Sequence, residues 1–345
     1  MHVPDGFFDA PTSIATGLIA AGAVGISLQR ANREIRETGP ALAGLTAAFV
    51  FAVQMVNFPV GAGTSGHLLG GALAAALVGP WTAMLVMSTV LLVQGLLFAD
   101  GGLSALGTNI TLMGVVTVLV GYFVTRFLLQ VLPKRVGSIV PSAALGALVS
   151  VPLSALAFTG LYAVGGTVEI PIGQLATAMV GWHVLVGLGE AVITGAVLSA
   201  VVATRPDLVY AARHLRPDLV LVDADGNSST VSPDRPIAAR PAGRSLGVGV
   251  AVTMLVAGVI SLFASAHPDG LEFVGAKLGF ESAATDSAAA GSPLADYGVS
   301  GIGNSHVSGA LAGIIGVLVT IAVGLAVAKL ASLRSPARAD VDTTV

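Results

Sequence analysis

The sequence predicts an all-α membrane protein, a polytopic helical bundle with a seven-span module followed by two further C-terminal spans. Three observations lead there. Of 345 residues, 54% are hydrophobic and only 10% charged, with a mean hydropathy of +0.88, whereas a soluble chain of this length needs far more charge to cover its surface. Nine apolar runs are separated by glycine, proline and charged residues. All sixteen Lys and Arg except Lys277 fall on one side of a topology that starts outside the cell membrane and ends in the cytoplasm.

Residues 12–28 form the first span, with Gly17, Ala21 and Gly25 at four-residue spacing, a face that lets helices approach closely. No basic segment precedes it and Arg30, Arg33 and Arg36 follow it, so it reads as a span rather than a cleaved leader. A second span, 41–58, breaks at Asn57 to Gly63. The next run, 66–79, is about 21 Å long as a helix, too short for a bilayer core of roughly 30 Å. Such a glycine-interrupted piece at membrane depth must line a cavity, and His67 sits at its start. Gly79-Pro80 ends it, and runs 81–98, 105–125, 139–164 and 175–203 complete the first module.

The last of these runs carries His183 and Glu190, on one helical face but about 10 Å apart along the axis. Ionisable groups inside a membrane either satisfy hydrogen bonds within the bundle or support and gate a site, and both readings stay open here. Residues 205–244 turn polar and read as a cytoplasmic linker with little fixed structure. Two spans follow, 245–266 and 302–330, the second with Gly309, Gly313 and Gly316 for close packing, before a polar tail at 334–345.

The chemistry concentrates at the start of the chain. In Met1-His2-Val3-Pro4-Asp5-Gly6-Phe7, the α-amine of Met1, the deprotonated amide of His2 and its imidazole can close fused five- and six-membered chelate rings. Pro4-Asp5-Gly6 is a turn that folds these residues back. His67, in the Thr64-Ser65-Gly66-His67 break, can complete a square of four nitrogens. That geometry suits Ni(II) or Cu(II), is accepted by Co(II), and suits tetrahedral Zn(II) less well. It requires a free Met1 amine, and a bulky second residue leaves the initiator methionine in place. Taken singly, His2 is also compatible with a solvated terminus and His67 with a packing role.

Other classes find no support. Cysteine is absent, removing disulfides, thiolate sites and cysteine nucleophiles. There is no GxxxxGK[ST] loop for nucleotide hydrolysis, no HExxH, and no basic patch with interleaved aromatics for nucleic acid.

The N-terminal heptapeptide, Gly63-Thr64-Ser65-Gly66-His67-Leu68-Leu69-Gly70-Gly71 and Leu97-Phe98-Ala99-Asp100-Gly101-Gly102 resemble the substrate-capture component of energy-coupling-factor transporters for cobalt and nickel, the CbiM/NikM type. The resemblance covers about residues 1–204. Pro268-Asp269-Gly270-Leu271-Glu272 resembles the PDGLE module, a two-span companion here fused as residues 245–333. The resemblance implies a non-enzymatic transport component that holds Co(II) or Ni(II) on Met1, His2 and His67. It also implies a transmembrane coupling subunit and separate cytoplasmic ATPase subunits as partners, with no catalytic cofactor in this chain. Thr64, Ser65, His183 and Glu190 are candidates for support or gating, and the outer segment from His267 to Gly301 for loading the ion or positioning the N-terminus. A stand-alone secondary metal-ion transporter and a membrane metal sensor or scaffold are the competing classes.

Overall fold

The computed structural model describes residues 1–61, 63–215, 219–222, 228–231 and 243–333. Helix α1 (Ala10–Thr38) starts at Asp9, whose carboxylate accepts the Thr12 N–H at 2.9 Å. It ends at Gly39, with φ of 84°, where Pro40 opens α2 (Pro40–Gln54). A hairpin of β1 (Phe58–Gly61) and β2 (Thr64–Gly66) leads through His67 to α3 (Gly71–Val78). Helix α4 (Pro80–Val93) runs into a π-helical turn at Gln94–Phe98. A second rod joins α5 (Leu106–Asn109), a π-helical stretch at Ile110–Val116 and α6 (Thr117–Val131). Then come α7 (Ile139–Gly165), α8 (Ile172–Thr204), α9 (Gly243–Gly258), α10 (Gly270–Leu278) and α11 (Ser305–Leu333).

Among the described residues, seven helical segments are long and apolar enough to cross a membrane: 10–38, 80–98, 106–131, 136–165, 172–204, 243–263 and 305–333. The expected runs 41–58 and 66–79 become the short helices α2 and α3, of 15 and 8 residues, because the hairpin and the His67 loop consume the chain between them. At 1.5 Å per residue these reach about 22 and 12 Å. Every residue of α3 is buried, which explains why its sequence is apolar all round rather than amphipathic.

Packing relies on small residues, though not always those the spacing suggests. On α1 the close approach is at Gly17, where a Cβ on Gly107 would lie 2.4 Å from the Gly17 Cα. Ala21 is exposed and Gly25 has nothing near it, so the four-residue pattern is only partly used. On α11, Gly313 and Gly316 do pack tightly, against Ala257 and Phe51, while Gly309 is looser. The C-terminal span α11 thus lies against α2, α1, α4 and α9 as part of the same core.

The linker is more ordered than expected where it is described. It forms 3-10 turns at Pro206–Leu208 and Tyr210–Leu215, and strands Leu219–Val222 and Ser228–Val231 pair antiparallel. Its remaining residues, 216–218, 223–227 and 232–242, and the tail 334–345 lie outside the described residues.

A side chain at Gly121 has no room, since its Cβ would stand 2.4 Å from the Ala72 Cβ and 2.6 Å from the Ala72 Cα. Gly121→Val should therefore force α6 from α3 and cost about 1–3 kcal/mol, read as a lower melting temperature of the detergent-solubilised chain.

Candidate metal centre

The first eight residues behave as core. Met1, Val3, Phe7 and Phe8 are buried in a cluster with Leu69, Leu112, Phe158 and Phe280. Burying a backbone this way requires partners for its polar groups, and three loops supply them. Asn109 donates to Val3 O at 3.0 Å and accepts Val3 N–H at 2.7 Å, while Gly102 N–H donates to the same Val3 oxygen at 2.9 Å. The Asp5 carboxylate gathers the N–H groups of Leu103 at 3.1 Å and Ser104 at 2.8 Å and the Ser104 hydroxyl at 2.5 Å. On the other side, Thr285 N–H donates to Asp5 O at 2.9 Å, and Thr167 N–H to Phe7 O at 3.1 Å.

This seat carries the Met1 amine into contact with His67 Nε2, 66 residues away in sequence. His67 Nδ1 lies 3.0 Å from Leu68 O; a carbonyl only accepts, so the proton sits on Nδ1 and Nε2 presents its lone pair to the amine. The loop that holds this ring is anchored by Glu190, which accepts Leu69 N–H at 2.7 Å and Gly70 N–H at 3.0 Å, and by Gln54, which donates to Leu69 O at 2.8 Å. Glu190 is fully buried, and its carboxylate replaces the water those amides lack.

His2 stacks on His67 with ring centroids 5.0 Å apart. Its Nε2 is 3.2 Å from Gln94 Oε1; Gln94 Nε2 donates to the Tyr297 hydroxyl at 3.0 Å, which donates to Asp100 at 2.5 Å. With the His2 proton on Nε2, donated to Gln94, Nδ1 is the free atom that a chelate with the His2 amide needs. Nδ1 faces Asp100 Oδ1 at 3.2 Å. Burial, against the pull of Asp100, lowers the imidazole to about 4, so it is neutral at pH 7.

Asp269 completes the cluster. Its Oδ2 lies 2.6 Å from the Met1 amine and 3.5 Å from His67 Nε2. Burial pushes this carboxyl up, but the N-terminal ammonium and His67 override it and hold it well below the usual carboxylate range. Among the described residues no three His, Cys, Asp or Glu side chains gather into a metal site by themselves. The Met1 amine brings a further nitrogen to His67 and Asp269 in this cluster.

The profile of the cobalt uptake substrate-specific transmembrane region, CbiM, matches residues 2–208, and the PDGLE domain matches residues 243–333. The chain belongs to the CbiM family. It is similar along almost its whole length to an Archaeoglobus fulgidus protein assigned as a fused nickel transport protein NikMN, at 31% identity over 96% of this chain and 99% of that protein. It is also similar to the cobalt transport protein CbiM of Sorangium cellulosum, at 33% identity over 61% of this chain and 94% of that one. A crystal structure of a truncated transition metal transporter superposes with a TM-score of 0.52 at 29% identity, covering 59% of this chain and 99% of that one. This CbiM-family chain, with its PDGLE domain, is a membrane component of cobalt or nickel transport.

Of the residues picked out in sequence, Met1, His2 and His67 come together. Thr64 and Ser65 do not face the amine; they bind the PDGLE segment, Ser65 N–H donating to Pro268 O at 2.9 Å and its hydroxyl to His267 O at 2.7 Å. Thr64 donates to Pro268 O at 3.2 Å. His183 packs beneath Gly270 at the start of α10, with Nδ1 2.8 Å from Met179 O on its own helix. Sequence reasoning missed Asp269, Asn109 and Gln94. Asp269 carried a signal, the capping box Asp269-x-x-Glu272 and the repeat of Pro4-Asp5-Gly6 as Pro268-Asp269-Gly270.

Glu190→Ala strands two buried N–H groups and frees the His67 loop. It should lower Ni(II) or Co(II) affinity about 10–100-fold, measured by calorimetry on the purified chain, with Glu190→Gln falling between it and wild type.

Proposed function

We propose that the chain is the substrate-capture component of an energy-coupling-factor importer for Co(II) or Ni(II). The ion is bound by the Met1 amine, the His2 amide and imidazole Nδ1, and His67 Nε2. The observation that carries this is the buried contact between the N-terminal amine and a histidine nitrogen whose lone pair is turned toward it. A chain terminus is costly to bury, and so specific a seat for it is hard to account for by packing alone. The neutral His2 imidazole supports the same set.

The N-terminus faces outward and the C-terminus the cytoplasm, as the distribution of Lys and Arg supports. The ion arrives from outside, is captured at the N-terminal seat, and leaves inward when a transmembrane coupling subunit, driven by cytoplasmic ATPases, reorients the bundle. The PDGLE segment positions the N-terminus, a role supported by its bonds to Ser65, Asp5 and Met1.

The direct test is metal affinity of the detergent-solubilised chain against His2→Ala, His67→Ala and a variant with one residue added before Met1. Each should lose more than the roughly 10–100-fold that a supporting residue costs. An extended variant that binds like wild type removes the amine from the site and overturns the reading. Because the amine and the amide must each release a proton, affinity should fall steadily as pH is lowered from 8 to 5, and a flat titration by calorimetry contradicts the ligand set.

A further inference from the structure

Asp269 lies outside the four-nitrogen set, yet it touches two of its members. Oδ2 is 2.6 Å from the amine and 3.5 Å from His67 Nε2, and those two nitrogens are in contact with each other. Donors held at about 2.0–2.1 Å from one divalent ion and at right angles stand about 2.9 Å apart. The three atoms lie on either side of that spacing, close enough together for shifts of under about 1 Å to set them around one ion.

The carboxylate is also held in advance. Its Oδ1 accepts the N–H groups of Leu271 and Glu272 at 2.8 and 2.9 Å, and Glu272 in turn accepts the Asp269 N–H at 2.9 Å. This capping box fixes the side chain at the start of α10 and leaves Oδ2 aimed at the amine. Ser65 and Thr64 bind the backbone just before it, so the same hairpin that carries His67 fixes Asp269.

We infer that Asp269 is a further ligand of the transported ion, an axial oxygen donor that the PDGLE segment delivers above the four-nitrogen plane. This rests on the capture site proposed above. Charge counting adds to the geometry, because a carboxylate this close offsets the charge of a bound ion. The ammonium of Met1 and the Asp269 carboxylate together carry no net charge. When a divalent ion binds, one proton leaves the ammonium and one leaves the His2 amide. The ion, the amidate and the carboxylate again sum to zero. Four nitrogens alone would leave a buried charge of about plus one, which is costly near a bilayer. Of the neighbouring acids, Asp100 is partly exposed, accepting the Tyr297 hydroxyl through Oδ2 and lying 3.2 Å from His2 Nδ1 through Oδ1, and Glu272 closes the capping box.

An axial carboxylate makes Ni(II) five-coordinate and paramagnetic, whereas a square of nitrogens alone leaves it diamagnetic. The experiment is X-ray absorption and magnetic measurement on the full Ni(II)-loaded chain, with affinities for wild type, Asp269→Asn, Asp269→Glu, Glu272→Gln and His67→Ala. Wild type should show five nitrogen or oxygen donors around a paramagnetic ion. Asp269→Asn should bind about 10–100-fold more weakly as a four-coordinate diamagnetic site. Asp269→Glu should recover the paramagnetic form, and Glu272→Gln, which loosens the capping box alone, should stay five-coordinate. A diamagnetic four-nitrogen wild-type site overturns the inference without any variant. Wild-type affinity in Asp269→Asn, with binding lost in His67→Ala, overturns the Asp269 assignment alone. Retained binding in His67→Ala overturns the capture site, and this inference falls with it.

Discussion

The structure depends on burying a chain terminus. Placing the Met1 amine inside a helical bundle removes it from water, and the fold compensates with a carboxylate at 2.6 Å and a histidine lone pair on opposite segments of the chain. The surrounding contacts meet that requirement. Residues 1–8 cannot form a helix and still thread inward, so their backbone groups are paired one by one with Asn109, Gly102, Thr167 and Thr285. Irregular segments ordinarily run over a protein surface; this terminal one is core.

Irregular backbone gathers around the same point. The π-helical turn at Gln94–Phe98 ends at Ala99, a non-glycine residue at φ of 55°, and the second π-helical stretch begins directly after Asn109. Both deliver a side chain to the N-terminal segment, Gln94 to His2 and Asn109 to Val3. Gln94 opens the first π turn and Asn109 immediately precedes the second, and such turns recur at functional sites. The short helices α2 and α3 serve a similar end. They stop below bilayer thickness so that the hairpin and the His67 loop can occupy the space, with Glu190 and Gln54 supplying the hydrogen bonds that water would otherwise provide.

The PDGLE domain is integral to this arrangement. Through α11 it packs into the main core against α2, and through the start of α10 it sets Asp269 beside the amine. Having both modules on one chain keeps the Asp269 segment at high local concentration beside its seat, an advantage that separate subunits obtain only by association.

Sequence by itself determined the helical class and the apolar runs, and it singled out the Met1, His2 and His67 nitrogens that the structure brings together. Hydropathy acts over twenty residues and chelate chemistry over two, so both are legible locally. It misjudged which small residues on α1 meet a neighbour, since four-residue spacing defines a face but not what lies against it. It also left Glu190 and His183 undecided. Tertiary structure decided that Glu190 holds the His67 loop, that His183 bonds Met179 O beneath the start of α10, that Thr64 and Ser65 bind the PDGLE segment, and that Asp269 meets the amine across 268 positions. No local periodicity encodes a contact at that separation. It exists because packing α11 against α2 and the hairpin against α10 brings two distant turns to one buried place, where an unpaired charge is too costly to leave alone.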